Sequence, residues 1–156
     1  MGIFDFIGDT VEFGASVGTE MHKISKEEKR IKEGKKRNQN LDEDMLRKLR
    51  KKEDEALKNN DAEIMLALGN LYINGNEVGY DPDKALEWWY RAADLGDEIA
   101  QYNIGLLHQI NPVYENDKIA GHWFEQSAKN GYVPARQRLT KYYEYSKLFK
   151  RWLRKP

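Results

Sequence analysis

Between Asp61 and Gly131 the chain says nearly the same thing twice. Aligned on Gly69 and Gly105, the two halves each begin at an Asp, at 61 and 97. Leu68-Gly69 falls on Ile104-Gly105, and Ala85 on Ala120. Trp88-Trp89 meets Trp123-Phe124, and Ala92-Ala93 meets Ser127-Ala128. Each half closes on a glycine, Gly96 and Gly131. A period of about 36 residues carrying two helical patterns predicts stacked helix pairs, because one pair cannot bury its apolar face alone.

The first unit predicts a helix over 62–74 that buries Ile64, Leu68, Leu71 and Tyr72. Turn residues follow at Asn74-Gly75-Asn76-Glu77. Asp81 then caps a second helix with Pro82 in its first turn, where a missing N–H costs nothing. Ala85, Trp88, Trp89, Ala92 and Ala93 form its inner face. Gly69 and Gly105 each lie inside a helix at a cost of about 1 kcal/mol, so their recurrence points to close helix packing. In the second unit Asn111-Pro112 replaces Gly75-Asn76. A third copy starts at Tyr132, with Thr140 at the glycine position, and its helix is expected to extend as an end cap through Tyr142, Tyr145, Phe149 and Trp152.

Ahead of the repeats, Leu41, Met45, Leu46, Leu49, Ala56 and Leu57 share a helical stripe. Shifted by one period, Ala56 falls on Ala92 and Asn60 on Gly96, so 41–60 is expected to be the second helix of a preceding unit. Asn60 suits the left-handed turn required there. Capping boxes at Ser25–Glu28 and Asn40–Glu43 predict helix starts. The segment Lys23–Arg37 is rich in Lys and Arg, and a solvated helix is its expected fate. The division expected is an apolar arm over 1–22, a charged extension and front cap over 23–60, repeats over 61–146 and a basic end over 147–156.

These residues resemble the Sel-one-like repeat family, a relative of the tetratricopeptide repeats. The family pattern is met at Leu68, Gly69, Tyr72, Gly75, Val78, Asp81, Ala85, Trp88, Ala92, Ala93 and Gly96. It recurs at Ala100, Ile104, Gly105, Ala120, Trp123, Ala128 and Gly131, with His108 at the tyrosine position. The match covers about 61–145. The resemblance implies an all-α fold, a short α-solenoid of antiparallel helix pairs, that binds other proteins and catalyses nothing. Its short bacterial members are often partners of effectors or toxins, or adaptors. That implies an immunity-type partner protein, with an adaptor subunit as the alternative.

A stacked array presents the first helix of each pair on its concave side. The stripes expected there are Glu63, Leu66, Asn70 and Ile73; Ile99, Tyr102, Leu106 and Gln109; and Pro134, Gln137, Lys141 and Glu144. The first two hold more apolar surface than a solvated groove should show. Its expected cover is a partner protein or the chain's own arm, where Ile3, Phe4, Ile7 and Val11 share a stripe with Phe6 and Phe13 further round.

The composition excludes several chemistries. Cysteine is absent, which removes disulfides and thiolate chemistry. His22, His108 and His122 lack the carboxylate spacing of a metal site, so no metal and no cofactor are expected. Ser127 has no adjacent base, and Gly75-Asn76-Glu77-Val78-Gly79 has no phosphate-binding Lys, so no catalytic residue is assigned. Lys+Arg and Asp+Glu are each 26, and a net charge of zero argues for neither nucleic acid nor an anionic membrane. Nucleic acid and membrane remain only as an alternative through the basic segments 23–37 and 147–155. No run is long enough to cross a membrane, and the expected location is cytoplasmic.

Overall fold

The computed structural model describes residues 3–140, with side chains from residue 18 onward. Its helices are α1 (Ile3–Gln39), α2 (Glu43–Asn59), α3 (Ala62–Asn74), α4 (Pro82–Asp94), α5 (Glu98–Ile110) and α6 (Asp117–Lys129). A further helix, α7, covers 133–140. No strand occurs among the described residues.

Side-chain caps set the register of the stack. Asp61, Asp81, Asp97 and Asn116 each accept a backbone N–H in the first turn of α3, α4, α5 and α6, satisfying donors a helix start leaves unpaired. Pro82 follows its cap as the sequence requires. The turns between pairs are equally regular. Asp61 N donates to Ala56 O at 3.0 Å, Asp97 N to Ala92 O at 3.1 Å, and Tyr132 N to Ser127 O at 3.0 Å. Asn60, at φ 53°, makes the turn that Gly96 makes at φ 90°. Helix α2 is therefore the second helix of a preceding unit, and it packs on α3 as α4 packs on α5.

Within each pair an aromatic ring lies on a glycine. A Cβ at Gly69 would overlap the Trp89 indole, and one at Gly105 would overlap the Phe124 ring. Trp89 and Phe124 are buried, as are Ala85, Ala92, Ala100 and Ala120. Trp88 is buried too, whereas Trp123 is half-buried and packs against Tyr90 with ring centroids 5.5 Å apart. Met65 takes the core position expected of Ile64; Ile64 and Leu71 are half-buried and line a depression beside α2. Ser127 is buried at its Ala-like position because its hydroxyl donates to Glu98 O at 2.6 Å.

Three expectations fail ahead of the repeats. Helix α1 passes through Ser25 without a break, because a capping sequence is only a local preference and no proline interrupts the backbone there. The cap of α2 is Asp42, which accepts from Met45 N. Asn40 instead donates to Lys36 O at 2.7 Å, closing the end of α1. The segment Lys23–Arg37 is not merely solvated: Ile31 and Gly34 are buried against the repeats. The expected end-cap residues Tyr142, Tyr145, Phe149 and Trp152 lie outside the described residues.

Replacing Gly69 or Gly105 by Ala should therefore destabilise the protein by about 1–3 kcal/mol, the usual effect of overpacking, despite the gain in helix propensity. Gly18→Ala meets nothing within 4 Å and should be neutral or stabilising by up to about 1 kcal/mol. Urea unfolding of the three variants checks this; equal stability at Gly69→Ala would remove the packing argument.

Candidate protein-interaction groove

The first helices α3 and α5 form the floor of a groove. Asn70, Ile73 and Asn74 come from α3, and Asn103, Leu106, Leu107 and Ile110 from α5. Trp89 Nε1 donates to Asn70 Oδ1 at 3.2 Å, and Asn103 Nδ2 donates to the same oxygen at 3.2 Å. An indole N–H can only donate, so it fixes which way the Asn70 amide points. The two amides thus tie α3 to α5 across the floor. Ile110 stands 69 % exposed at its edge.

The wall comes from α1, and its docking is mostly polar. Asn38 accepts from Gly79 N at 2.6 Å and donates to Gly79 O at 3.2 Å. Arg37 donates to Gly75 O at 3.1 Å and Asn76 O at 3.0 Å. These carbonyls lie at the C-terminal end of α3, where a cation also meets the negative end of the helix dipole. Gly34 meets the Gly79–Tyr80 backbone directly: a Cβ at Gly34 would overlap the Tyr80 backbone, and one at Gly79 would overlap that of Gly34. Further along α1, Glu27 accepts from the Tyr80 hydroxyl and, at 2.7 Å, from Asn111 Nδ2. One carboxylate so joins the inner loops of both repeats. The Arg30 guanidinium sits 3.6 Å over the Tyr80 ring, a stacked arrangement that keeps it oriented. Glu27, Arg30, Tyr80, Asn111 and Pro112 close the groove into a cavity of about 510 Å³.

Lys35 reaches Asp83 at 2.5 Å, and Tyr114 donates to the other Asp83 oxygen at 2.5 Å. The hydrogen bond to Asp83 holds Lys35 above the usual lysine range. Burial works to raise Asp83, but the bonds from Lys35 and Tyr114 outweigh it and hold the carboxyl below its usual value. Burial, and then the Glu27 carboxylate, push the Tyr80 phenol upward. His108, at the tyrosine position of the repeat, is buried with Nδ1 2.8 Å from Tyr114 O. Among the described residues no group of three His, Cys, Asp or Glu could hold a metal ion.

Of the residues expected on the concave face, the groove gathers Asn70, Ile73 and Leu106. Glu63 instead lines the depression beside α2 with Ile64 and Leu71. Leu66 is half-buried against the core. Ile99 is exposed and Gln109 half-buried, neither lining the cavity. Tyr102 packs between Phe124 and Tyr132, at 5.5 and 5.1 Å, so it joins the second repeat to the third copy. Pro134 and Gln137 share a separate depression with it. Lys141 and Glu144 lie outside the described residues, as do the side chains of Ile3, Phe4, Phe6, Ile7, Val11 and Phe13. The unbroken α1 puts those arm positions roughly 21–36 Å along the helix from Glu27 at 1.5 Å per residue.

The contribution of α1 was missed in sequence, although a signal existed. Ile24, Glu27, Ile31, Gly34 and Asn38 follow one another at spacings of three and four, one face of a helix. Only two are apolar, so a hydrophobicity pattern passes over them.

Two outcomes follow for the docked helix. Gly34→Ala should lift α1 from the loops, and trypsin cleavage within 23–37 should rise several-fold over the parent; unchanged cleavage would show that the backbone contact is dispensable. A depressed Asp83 stabilises docking above its unfolded pKa of about 3.9 and ceases to as pH falls through its folded value. A raised Lys35 stabilises it below about 10.4, and that is lost as pH rises through its folded value. The Gly79 amide resonance should therefore stay constant from about pH 5 to 9 and move below about 4 and above about 10.

A family model described as the Sel1 repeat matches residues 61–97 and 99–132. The structure is similar to a crystal structure of a Sel1 repeat protein from Oxalobacter formigenes, with a TM-score of 0.52 at 31% identity over 55% of this chain and 36% of that one. An F-box protein of Arabidopsis thaliana is 42% identical over 60 residues, 38% of this chain and 16% of that protein. The chain thus spans about a third of the bacterial chain and a sixth of the plant protein. Four side-chain caps, two glycine–aromatic crossings and two matched segments agree: residues 61–97 and 99–132 are Sel1-like repeats.

Proposed function

We propose that this chain binds a segment of a partner protein in the groove between α3 and α5, against the wall made by α1. Sel1 repeat proteins are in general protein-interaction modules. The observation that carries the reading here is the cavity itself, an apolar floor of Ile73, Leu106 and Ile110 beside the Asn70–Asn103 amides and Arg30. Amides that hydrogen-bond, next to aliphatic surface, suit a polypeptide better than a small reactive substrate. Among the described residues the titratable groups of the lining, Glu27, Arg30 and Tyr80, already engage one another and Asn111, which favours a binding role.

The finer reading is a partner protein of the immunity type, which masks a cognate effector in the bacterial cytoplasm. The walled groove over α3 and α5 supports it, since masking needs one tight contact. An adaptor role has its own support in α1, whose N-terminal half carries apolar positions well beyond the groove. Nucleic acid binding through 23–37 is disfavoured because Lys35 and Arg37 are already engaged with the repeats.

Ile110→Asp separates these readings. The side chain is exposed, so stability should change by no more than about 0.5 kcal/mol. A protein captured by the parent and identified by mass spectrometry should bind the variant at least about tenfold more weakly, a difference of about 1.4 kcal/mol. Full binding by Ile110→Asp, with loss on deleting residues 1–17, would transfer the contact from the groove to the arm.

A further inference from the structure

The groove between α3 and α5 has a counterpart one repeat earlier. Moved back by the interval from Gly105 to Gly69, the α5 positions on its floor, Asn103, Leu106, Leu107 and Ile110, become Ala67, Asn70, Leu71 and Asn74. All four line the depression between α2 and α3, a cavity of about 530 Å³. The counterpart is open on one side. Helix α5 has both α3 and α4 before it, and its Ala100, Ile104 and Leu107 are buried. Helix α3 has α2 before it. Of the matching residues Leu68 is enclosed, whereas Ile64 and Leu71 are half-buried. By the same interval the first helix of the preceding unit would be 26–38. Those residues belong to α1 instead, and Gly34 and Asn38 fix them to the inner loop at Gly79 and Tyr80. An aliphatic strip of roughly 15 Å, about three helical turns, therefore lies open along α3 beside α2.

The rim of this strip is acidic. Glu55 comes from α2, and Glu63 and Glu77 stand at its two ends; all three are exposed, with Lys52 the one base among the residues lining it. Among the described residues none of the three carboxylates makes an ion pair. One repeat on, Arg91 stands at the position of Glu55 and Ile99 at that of Glu63, so the negative rim is particular to this end of the array. The ring-on-glycine contact is also missing here. Lys52 and Glu53 occupy the positions of Trp88 and Trp89, and Glu53 accepts from the Tyr72 hydroxyl at 3.4 Å. A helix laid against this strip would be held by aliphatic contact and by charge, and would need no glycine.

We propose that the depression between α2 and α3 receives an amphipathic helix of a partner protein, about three turns long. Its aliphatic side chains meet Ile64, Leu68 and Leu71, and its Lys or Arg side chains meet Glu55, Glu63 and Glu77. Such a helix takes the place before α3 that α3 takes before α5, and so extends the stack at its front end. The aliphatic face supplies the contact, and the charges select the partner and set its direction. The proposal goes beyond the reading of the α3–α5 groove, which this strip joins only at Asn70 and Asn74.

The test uses the full chain and a phage-displayed library of peptides long enough for about three helical turns. Selected sequences should carry aliphatic residues at helical spacing with Lys or Arg beside them. Glu55→Lys combined with Glu63→Lys should weaken their binding at least about tenfold. No enrichment, sequences without Lys or Arg, or binding that survives the reversal would each overturn the proposal. Peptides lost at Ile110→Asp instead belong to the other groove, with the same consequence. Without peptide, the reversed variant should keep the parent's Tm and its mass in solution, because both substituted side chains are exposed. A Tm several degrees lower would show that the strip is already covered from within the chain. A parent dimer that the reversal dissociates would assign the strip to a second copy, and either result overturns the proposal.

Discussion

The stack depends on an aromatic ring filling the place where a side chain is missing. Trp89 fills the space over Gly69, and Phe124 fills it over Gly105. A glycine in mid-helix weakens that helix, yet it allows the neighbouring axis to come close enough for an indole or phenyl to be wholly enclosed. Burying such a ring removes on the order of 150–250 Å² from water, which outweighs the roughly 1 kcal/mol of helix propensity given up. Ala85, Ala92, Ala100 and Ala120, all fully buried, follow from the same constraint: once the axes are close, only a methyl fits between them. Thr140 stands at the third position, so the third copy begins without this arrangement.

This close packing also explains where the groove can be. The first helices are held close to their partners by the rings behind them, and their front faces form the floor. The amide pair Asn70–Asn103 is tied to the same device, because Trp89, the ring over Gly69, donates to Asn70. Core and floor are one hydrogen-bonded unit. The wall is of another kind. Among its described side chains helix α1 buries little apolar surface beyond Ile31, and it holds on by carbonyls, amides and the Glu27 carboxylate. Net contributions of such bonds are about 1 kcal/mol each, so the wall is the part of the groove that conditions can loosen.

That difference sets what could be read from the sequence. Helix pairs, caps, the glycine crossings and even the left-handed turn at Asn60 were legible, because each repeats and each rests on a local rule. The groove was half legible. Asn70, Ile73 and Leu106 were placed on it by helical spacing alone, whereas Tyr102 was given to it and in fact packs between Phe124 and Tyr132. A stripe opposite the core of one helix pair is, at the next repeat, an inter-repeat contact, and periodicity does not distinguish the two. The wall was illegible for a different reason. Its docking positions include Glu27, Gly34 and Asn38, whose partners lie far along the chain at Tyr80, Gly79 and Asn111.

Polar docking of this sort changes what a basic run signifies. Lys23–Arg37 looks like a face for an acidic partner, and in part it meets one, but the acid is the protein's own. Arg37 takes the carbonyl end of α3, Lys35 takes Asp83, and Arg30 lies over Tyr80. Each contact is a modest, half-solvated interaction that would be worth little alone. Together they fix one helix across two repeats, because the repeats themselves are rigid and present their loop ends at a constant interval. A helix with one polar or glycine contact at each interval needs no hydrophobic stripe to find its register. The same regularity that lets the repeats stack on one another therefore lets a charged helix brace them from outside, and it is this brace that turns an open concave face into a cavity with a wall.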